Sequence, residues 1–535
     1  MKRKNVYRVL GVLLAILFWV GGLPGQPPLT PAPGEWFSRD DRGWYARERG
    51  ITRYLIAAAE GDPALAIREA TRREGDREAD FVRAVAYAQL GRRDSLLHYV
   101  EASLAKGLPV SRYQAGPRRL FGELYDDATF RALRRQHGAG PLVHGPLLGD
   151  VTGEQARIWV RTDTVRPLRV VASTAPDFTS IIATPLGRSR EAEEYTARLS
   201  LQGLSPSTTY YYRLQIDGEM LDTTYSFRTA PERGRPGRFA VAFGGGAAFI
   251  PWHHDMWRTL DEHDLDAFLF LGDNVYIDYP ERPYIQQYCY YRRQSERNFR
   301  NWVAGTPIYA VWDDHDFGKN DSYGGPDPDR PAWKRTVWRT FRHQWINPQY
   351  GGGAAQPGVW QRFAIADVDF FLLDSRYYRE PSVVGDSLAR PSMLGAAQLA
   401  WLREQLLAST ATFKVVASPV PWSFEAKGPM EGRYDTWRGY AAERESLFNF
   451  LADNDIQGVV LLAADRHRSD HWIIERPGAY ALHEFESSKL TNTHTHAVIE
   501  RSEFGYNRSC SFGKLIFDTT TADPEVIYEI WNIDN

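Results

Sequence analysis

Apolar runs that end abruptly in charged side chains recur three times in the C-terminal half of the chain. The runs and the groups that follow them are residues 267–271 before Gly272-Asp273-Asn274, residues 308–312 before Asp313-Asp314-His315-Asp316, and residues 459–464 before Asp465-Arg466-His467. Continuous apolar runs are typical of buried parallel strands, and open α/β sheets bind ligands just beyond the carboxyl ends of their strands. Carboxylates and imidazoles that meet at one sheet edge need a cation between them. The pattern therefore predicts a metal site.

The spacing of apolar residues also divides the chain into segments. In residues 238–535, strand-like runs alternate with helical stretches, which predicts a layered α/β domain. Residues 141–231 show a period of two instead, which predicts short strands separated by turns. Residues 203–213 of this segment contain Tyr210-Tyr211-Tyr212 and resemble the tyrosine-corner strand of a fibronectin type III sandwich. The Gly-, Arg- and Pro-rich residues that follow, up to residue 237, predict a linker.

Residues 35–140 are rich in Ala, Leu, Arg and Glu at helical spacing. Asp62 followed by Pro63 predicts a helix N-cap and the first position of a helix, and Asp94 is predicted to cap a later helix. The paired helices resemble a tetratricopeptide-type hairpin. Two interpretations of this region stay open, namely a plain helical packing region and a surface for a protein partner.

The N-terminus carries basic residues between positions 2 and 8, followed by an uncharged apolar stretch at residues 9–23. This order is typical of an export signal. The stretch is shorter than the roughly 20 apolar residues of a comfortable membrane span, and no clean small-residue cleavage site follows it. Residues 1–34 therefore predict export, with either a cleaved signal peptide or an N-terminal membrane anchor and spacer. The rest of the chain is expected in the periplasm, outside the cell or at its surface.

Composition narrows the classes of function. The chain has 535 residues, 43% of them hydrophobic and 24% charged, as expected for globular material of several domains. Its net charge of -3 argues against a general nucleic-acid-binding surface, which needs an excess of Lys and Arg. The two cysteines, Cys289 and Cys510, are too few for a disulfide framework or a Cys-rich zinc site. Both a single disulfide bridge between them and two unpaired buried thiols are compatible with the sequence.

Candidate metal ligands follow two of the apolar runs. Asp273 can bridge two cations, and the phenolate of Tyr276 is an oxygen ligand suited to ferric iron, although an aromatic ring that packs on the loop is equally compatible. Asp465 and His467 are two residues apart, so on an extended segment they point to the same side and can reach neighbouring metals. Arg376 offers a guanidinium that can clamp a phosphate; its alternative is a structural ion pair with the aspartate two residues before it.

The cluster that follows residue 312 is the densest group of charges. Its carboxylates would raise one another's pKa unless cations compensate. Asp313 and Asp314 are predicted metal ligands, and Asn320 can add a neutral amide oxygen. His315, held cationic by the carboxylates, can protonate a leaving oxygen or steady a phosphate. A helix N-cap with surface charges is the competing interpretation.

These motifs resemble one known family. Gly-Asp-x-x-Tyr at 272–276, Trp-Asp-Asp-His-Asp at 312–316, Leu-Asp-x-Arg at 373–376 and Asp-Arg-His at 465–467 resemble, in order and spacing, the PhoD-like alkaline phosphatases of the calcineurin-like metallophosphoesterases. The segment Asp435-Thr436-Trp437-Arg438-Gly439-Tyr440 resembles that family too, as does a fibronectin-like domain before the catalytic one. The likeness covers about residues 142–500.

The resemblance implies a four-layer α/β metallophosphoesterase sandwich behind an N-terminal β-sandwich. Together with the small helical domain, which lies outside the usual pattern of the family, this predicts a multidomain protein. It also implies metal ions, Fe³⁺ with Ca²⁺ or another divalent pair, that act on a phosphoester substrate through activated water. In this family an aspartate like Asp273 bridges the metals, a tyrosine like Tyr276 binds iron, and a histidine like His467 completes the set.

The chain departs from the family at one position. The first metal ligand, a Cys or Asp, should fall at Gly244-Gly245-Gly246, where no side chain is present. His253, His254 or Asp255 are candidate replacements; alternatively, the glycines form an anion nest that cradles phosphate. The sequence thus predicts an exported metal-dependent phosphomonoesterase or phosphodiesterase, with a weaker or single-metal centre as one expectation. A catalytically lapsed binding or scaffold protein at the cell surface is the alternative.

Overall fold

The computed structural model describes residues 6–10, 39–384, 390–430 and 432–534, with the backbone alone for residues 6–10 and 39–47. The helices are α1 (Arg39–Ala59), α2 (Pro63–Thr71), α3 (Arg77–Gln89), α4 (Arg93–Ala105), α5 (Ser111–Ala115), α6 (Ala128–Gln136), α7 (Asp255–Asp261), α8 (Pro283–Gln294), α9 (Arg297–Gly305), α10 (Asp314–Phe317), α11 (Lys334–Gln344), α12 (Gly395–Ala408) and α13 (Ala441–Asp453). The strands of the N-terminal part are β1 (Val6–Leu10), β2 (Leu142–Gly149), β3 (Gln155–Thr162), β4 (Pro167–Ser173), β5 (Ile182–Ala183), β6 (Gly187–Arg188), β7 (Thr196–Gln202), β8 (Thr209–Ile216), β9 (Glu219–Met220) and β10 (Tyr225–Arg228). Those of the C-terminal part are β11 (Arg238–Gly244), β12 (Ala267–Leu271), β13 (Ile308–Val311), β14 (Gln361–Ile365), β15 (Val368–Leu372), β16 (Phe413–Ala417), β17 (Val459–Ala463), β18 (Ser469–Ile474), β19 (Leu482–Ser487), β20 (Phe504–Tyr506), β21 (Ser511–Asp518) and β22 (Glu525–Asn532).

Two mixed sheets form the centre of the C-terminal half. One has the order β1-β22-β21-β11-β12-β13 and the other the order β14-β15-β16-β17-β19-β18-β20. The apolar runs identified in the sequence are the parallel strands β12, β13 and β17. The sheets pack face to face through aromatic rings, with Phe239 against Phe370 at 6.4 Å and Phe413 against Phe517 at 5.9 Å between ring centroids. The parallel strands therefore end at neighbouring places in the molecule.

Helices cover the outer faces of both sheets. On the first sheet, Trp257 of α7 stacks on Trp302 of α9, and Trp302 meets Phe268 of β12 edge-on. On the second sheet, Leu402 of α12 and Leu451 of α13 share an apolar core with residues of β15 and β17. The mixture of sheets and helices agrees with the predicted α/β class.

Residues 142–228 form two antiparallel sheets, β2-β3-β7 and β10-β8-β4-β5, around a common apolar core. Ile158 and Leu199 come from the first sheet, and Val170 and Leu214 from the second. The hydroxyl of Tyr210, at the start of β8, accepts a hydrogen bond from the backbone N–H of Ser205 at 2.9 Å. This contact is the one that defines a tyrosine corner.

Helices α1 to α6 precede these sheets. Asp62 caps α2 by accepting a hydrogen bond from the N–H of Leu65 at 2.9 Å, with Pro63 at the first helical position, as the sequence predicts. The predicted cap at Asp94 is wrong, because the turn after α3 is short and α4 has already begun at Arg93. Asp94 lies inside the first turn of α4.

Buried charges join the helical region to the C-terminal half. Glu78 of α3 accepts hydrogen bonds from Arg112 at 2.7 and 3.1 Å and from the hydroxyl of Tyr288 at 2.8 Å. Arg292 of α8 lies 3.3 Å from the same carboxylate. Because these groups are buried, their electrostatic interactions with one another are stronger than they would be in water.

Beyond strand β1, which pairs antiparallel with β22, the predicted leader at residues 1–34 lies outside the described residues. Within the described part of the chain, no helix combines the length and the apolar character needed to cross a membrane. Cys289 and Cys510 are both buried and are not joined in a disulfide, so the structure contains two thiols rather than a bridge.

Candidate metal centre

The loop after β12 owes its shape to a glycine. Gly272 has φ +98°, and a Cβ atom at this position would lie 2.3 Å from the Cβ of Asp313, so no other residue fits without movement of the backbone. Asp273, Asp465 and His467 also adopt positive φ, at 51°, 67° and 48°. Left-handed non-glycine residues are strained, and they concentrate at functional sites.

The carboxylates after β12 and β13 converge on one buried point. Asp273, Asp314 and His315 each offer an atom for metal ligation, and these atoms lie within 4.8 Å of one another. The hydroxyl of Tyr276 donates a hydrogen bond to Asp273 Oδ2 at 2.9 Å. The structure thus brings together four of the residues singled out from the sequence.

Burial dominates the electrostatics of this group. It raises the pKa of Asp273 well above the usual range; the His315 charge opposes this shift, whereas Asp314 and Asp313 add to it. A buried carboxylate with carboxylate neighbours is costly to ionise unless a positive charge is supplied. The site therefore favours a cation close to Asp273.

His315 is the positive group that the chain itself supplies. Its Nδ1 lies 2.5 Å from Asp278 Oδ1, and its ring packs 4.6 Å from that of Tyr276. Burial lowers the pKa of His315, but Asp314, Asp273 and Asp278 outweigh burial and raise it well above the usual range. Asp278 is also in an ion pair at 3.5 Å with Arg49 of the helical region.

Asp316 holds the two loops together. Its carboxylate accepts hydrogen bonds from the N–H groups of Asn274, Val275 and Asp313 at 3.1, 3.0 and 3.2 Å. It also completes a capping box at the start of α10. Asp316 therefore helps to cap α10 from the third helical position, behind the N-cap residue Asp313, but the charges of this cluster are buried and not on the surface. Asp314 on the same short helix points to the group around Asp273.

Arg376 occupies a different place from the one predicted. Its side chain is 0% exposed. Its Nε donates to Asp313 Oδ1 at 2.6 Å, and its two terminal nitrogens donate to Asp435 at 2.7 and 3.1 Å. A guanidinium that is buried and engaged in this way is not presented to a phosphate, so the predicted clamp is corrected to an internal brace for Asp313.

The alternative pairing of Arg376 is also corrected. Asp374 accepts hydrogen bonds from the backbone N–H of Arg376 at 2.9 Å and from the indole N–H of Trp312 at 2.8 Å. It does not pair with the guanidinium, because the carboxylate turns toward the backbone of its own loop. Asp374 therefore fixes the loop that carries Arg376.

Asn320 is not brought into the site. It lies exposed on the turn after α10. Its neighbour Asp321 is brought in instead, since its backbone N–H donates to Asp314 Oδ2 at 2.6 Å. Asp314, Asp321 and Asp435 form a second set of oxygen atoms within 4.8 Å of one another. Sequence inspection missed this set because Asp435 comes from a remote part of the chain.

The end of β17 supplies Asp465 and His467. Asp465 forms an ion pair with Arg466 at 2.9 Å. Burial is the main cause of the raised pKa of Asp313, and the charge of Asp465 adds to it. His467 is buried, and its pKa is lowered well below the usual range by burial first and then by the adjacent His494. The ring centroids of His467 and His494 lie 4.9 Å apart.

The segment that contains His494 was not identified from the sequence. It also brings Asn492, whose amide donates to the hydroxyl of Tyr276 at 2.5 Å, and His496, whose ring centroid lies 4.6 Å from that of His494. The alternation His494-Thr495-His496 has the same spacing as Asp465-Arg466-His467, and that spacing was the available signal.

The glycine stretch lies beside these imidazoles. A Cβ atom at Gly246 would be 3.1 Å from Nδ1 of His467. The N–H groups of Gly246 and Ala247 donate to the carbonyls of Gly272 and Asp273 at 3.4 and 2.8 Å. Because these donors are engaged with the neighbouring loop, the anion nest expected here is not supported.

The proposed replacement ligands after the glycines lie elsewhere. His253 Nδ1 lies 3.2 Å from the carbonyl of Thr491. Asp255 is 60% exposed and pairs with Arg258 at 3.9 Å. The pKa of His254 is lowered by burial and then by Arg293 and other arginines. The structure does not gather these residues with Asp273, because the chain turns into α7 before it reaches the site.

Three buried atoms of the site have no hydrogen-bond partner among the described residues. They are Asp273 Oδ1, Asp313 Oδ2 and His467 Nδ1. Buried polar atoms are nearly always satisfied, so such orphans call for an explanation. Carboxylate oxygens and imidazole nitrogens are metal-ligand atoms, and cations bound next to these atoms would satisfy them. The residues present therefore fit a metal centre.

Comparison with known proteins now identifies the family. Residues 240–509 match the profile of the PhoD-like phosphatases, and residues 128–231 match the profile of the PhoD-like phosphatase N-terminal domain. The chain belongs to the PhoD-like phosphatase family. The predicted relationship is thereby confirmed, whereas α1 to α5 precede both matched segments.

Individual PhoD-like relatives are distant. Alkaline phosphatase D of Bacillus subtilis (strain 168) is 22% identical over 380 residues, a match that covers 62% of this chain and 65% of the relative. A solved structure of PhoD has a TM-score of 0.58 at 18% identity, and covers 71% of this chain and 87% of that one. A purple acid phosphatase from yellow lupin (Lupinus luteus) seeds has a TM-score of 0.52 at 12% identity, with coverage of 74% and 73%. These structural likenesses describe the fold.

Proposed function

We propose that this protein is an exported, metal-dependent phosphoester hydrolase. The observation that carries the proposal is the set of orphaned buried ligand atoms on Asp273, Asp313 and His467, which come from three separate strand ends. The family relationship supports phosphoester hydrolysis, and the likeness to a PhoD and a purple acid phosphatase supports a metal centre.

The ligands that we propose are the residues after the three strands. Asp273 and Tyr276 come from the first loop, Asp313 and Asp314 from the second, and Asp465 with His467 from the third. The proposed ions are Fe³⁺ with Ca²⁺, or another divalent pair. When bound, they supply Lewis-acid activation of water and of the phosphoryl oxygens.

His315 is the proposed proton donor. The short contact of its Nδ1 with Asp278 is a charge-assisted hydrogen bond, which orients the ring and favours the protonated form. A protonated imidazole next to the carboxylates can transfer its second proton to the leaving oxygen of a phosphoester. Arg376 acts indirectly, because it fixes one oxygen of Asp313 and leaves the other for a cation.

The wider organisation is part of the same proposal. We divide the chain into a leader or membrane anchor with spacer (1–34), a tetratricopeptide-like helical region (35–140), a fibronectin type III-like sandwich (141–231) and a four-layer catalytic sandwich (238–535). The helical region is a candidate surface for a protein partner. The tyrosine-corner contact of Tyr210 and the two face-to-face sheets with outer helices support this division.

Metal analysis and two substrates test the proposed activity. Purified protein is expected to contain metal and to hydrolyse p-nitrophenyl phosphate, its bis ester or both, after addition of iron, calcium or manganese. The ratio of the two rates separates a monoesterase from a diesterase. Removal of metal with a chelator should abolish hydrolysis, and the added ion should restore it.

The glycine stretch favours a second candidate from another class. Because Gly244–Gly246 lack the side chain of the family's first ligand, a lapsed phosphatase retained as a surface scaffold is the alternative. Protein that binds no metal and leaves both substrates intact under all the added ions would support the scaffold and overturn the hydrolase.

A further inference from the structure

The loop that carries Asp278 holds His315 by its backbone and by two side chains. The N–H of Ile277 donates to the backbone carbonyl of His315 at 3.0 Å. Asp278 Oδ1 lies 2.5 Å from Nδ1 of the imidazole, and the ring of Tyr276 packs on it with 4.6 Å between centroids. Asp278 reaches the imidazole from a left-handed backbone, with φ 60°, which aspartate tolerates better than most residues. The orientation of the imidazole therefore depends on where this loop lies.

The other carboxylate oxygen of Asp278 faces the helical region. A terminal nitrogen of Arg49, on α1, lies 3.5 Å from Asp278 Oδ2, and the side chain of Asp278 is 21% exposed. Asp278 thus stands between a guanidinium and an imidazole, with one oxygen toward each. A side chain that is held from both sides is fixed more firmly than one that is held from one side.

Helix α1 is itself fixed over this part of the chain. Glu48 forms an ion pair with Arg292 of α8. Directly after the helix, Glu60 accepts hydrogen bonds from the guanidinium of Arg282 at 2.8 and 3.0 Å and from the hydroxyl of Tyr284 at 2.6 Å. Since Glu48 immediately precedes the arginine that faces the loop, its ion pair limits how far that arginine can move.

Arg49 comes from a part of the chain that the family profiles leave out. The two matched segments begin at residues 128 and 240, whereas α1 ends at Ala59. The loop with Asp278 and the residue His315 both lie inside the second matched segment. The ion pair therefore joins a region outside the family profiles to the candidate site inside them.

We propose that Arg49 is a positioning residue for proton transfer to the leaving group: it fixes Asp278, and Asp278 directs the imidazole of His315. This inference rests on the proposed function, in which His315 is the proton donor. In that step the bond between phosphorus and the leaving oxygen breaks, and the leaving oxygen keeps the electron pair and takes the Nε2 proton of His315. The oxygen of water takes its place on phosphorus, and the proton that this water loses restores the imidazolium.

The basicity of the leaving group provides a readout that a loss of folding or of metal does not imitate. p-Nitrophenolate leaves readily without a proton, whereas the more basic phenolate needs one. Loss of folded or metal-loaded protein lowers both rates alike, so the ratio of kcat for the phenyl ester to kcat for the p-nitrophenyl ester reports proton donation. The substrates are phenyl and p-nitrophenyl phosphate for a monoesterase, and diphenyl and bis(p-nitrophenyl) phosphate for a diesterase.

Three variants should change this ratio to different extents. Arg49→Gln should lower it by about two- to fivefold, because the ion pair is partly exposed and therefore modest in strength. Asp278→Asn should lower it by about 10- to 100-fold, within the range that proton donation contributes. Arg49→Lys should restore the wild-type ratio, since a contact of 3.5 Å depends on charge more than on the fork of the guanidinium. KM for both esters should change by less than about twofold, because a positioning residue does not contact the substrate.

Arg53 provides a matched control on the same helix. It is exposed and lies one helical turn beyond Arg49. Arg53→Gln removes the same charge from the same helix and should leave the ratio unchanged. The thermal midpoint and the metal content of each variant, measured on the same preparation, establish that it is folded and retains metal.

The outcomes separate this inference from the function on which it rests. His315→Asn is the reference, because its amide can keep a hydrogen bond to Asp278 while the proton donor is lost. If His315→Asn lowers the ratio and folded Arg49→Gln keeps it, the positioning role of Arg49 is overturned and the proposed function stands. If His315→Asn also keeps the wild-type ratio, or if the wild type hydrolyses neither ester, the proton donation itself fails and the inference fails with it.

Two other results would also overturn the positioning role. A raised KM with an unchanged ratio in Arg49→Gln would show that Arg49 binds the substrate directly. An equal fall of the ratio in Arg53→Gln would show a general effect of lost positive charge on α1.

Discussion

Two acidic clusters in this molecule are equally buried but differently neutralised. Burial acts to raise the pKa of Asp435, yet Arg376, Arg379 and Lys427 outweigh it and hold the pKa well below the usual range. Around Asp273 burial prevails, and its pKa is raised well above the usual range because His315 is the main opposing charge. The chain thus supplies fixed cations to one cluster and leaves the other short of positive charge.

This difference separates a carboxylate that the chain itself neutralises from one that needs an added cation. A carboxylate that is paired with fixed guanidinium groups is satisfied in the metal-free protein, whereas one with an orphaned oxygen is satisfied when a cation binds. Asp313 takes part in both situations, with Oδ1 on Arg376 and Oδ2 without a partner among the described residues. Counting acidic residues in the sequence does not reveal the distinction; tracing their cationic partners in the fold does.

The largest expected effect comes from the cluster that lacks fixed cations. Asp273→Asn should lower kcat/KM for p-nitrophenyl phosphate by about 10³-fold or more and remove bound metal, because metal activation is worth several kcal/mol. In the metal-free protein the same change should leave the stability unchanged or raise it, since it removes a buried negative charge. Steady-state kinetics, metal analysis and urea denaturation measure the three quantities. Retained metal with lost stability would place Asp273 in a structural role instead.

Arg376→Met should act in the opposite way and cost stability rather than metal alone. It leaves Asp313 and Asp435 buried without the guanidinium that they share. Breaking a buried ion pair costs about 3–5 kcal/mol. Urea denaturation of the metal-free protein measures the loss. Asp435 keeps Arg379 and Lys427 as partners, whereas Asp313 loses its guanidinium. Arg376→Met with Asp313→Asn should therefore recover part of the lost stability, because the second change removes the unpaired charge. A variant of normal stability that shows only a raised KM would instead support the prediction that Arg376 binds the phosphate of the substrate.

The helical region contains another cluster in which fixed cations neutralise a buried carboxylate. The pH dependence of the free energy of unfolding tests this neutralisation. Burial acts to raise the pKa of Glu78, but Arg112 and Arg292 outweigh it and lower the pKa to about 2. A lowered folded-state pKa contributes stability above the ordinary value near 4.5, and this contribution is lost as the pH falls toward 2. The amount is about 3 kcal/mol. The stability advantage of the wild type over Glu78→Gln, measured by denaturation between pH 6 and pH 3, should shrink on acidification. A constant advantage would show that the shape of the side chain matters, not its charge.

Sequence reasoning located the parts of the site that are continuous in the chain. Asp273, Asp314 and His467 come directly after apolar strands, so periodicity placed them at strand ends, although β12 and β13 lie in one sheet and β17 in the other. The partners of Arg376 and the histidine at 494 were not accessible in this way, because they depend on loops that meet only in the folded molecule. Local sequence also failed to choose between neighbouring residues on the turn after α10, where the register of a few residues decides which side chain faces inward.

The turn after α10 gives the prediction with the smallest expected effect, a contrast between two adjacent residues. Asn320→Ala should change metal affinity and stability by no more than about 0.5 kcal/mol, because Asn320 is exposed. Asp321→Asn keeps the backbone N–H that bonds to Asp314 but removes a carboxylate from the second set of oxygen atoms, which Asp314, Asp321 and Asp435 form. It should therefore weaken Ca²⁺ binding by about tenfold, or 1.4 kcal/mol. Calorimetric titration of both variants with Ca²⁺ measures the contrast between adjacent residues. A larger loss in Asn320→Ala than in Asp321→Asn would mean that the amide of Asn320 turns inward when the ion binds, and Asn320 would then replace Asp321 in the second set of oxygen atoms.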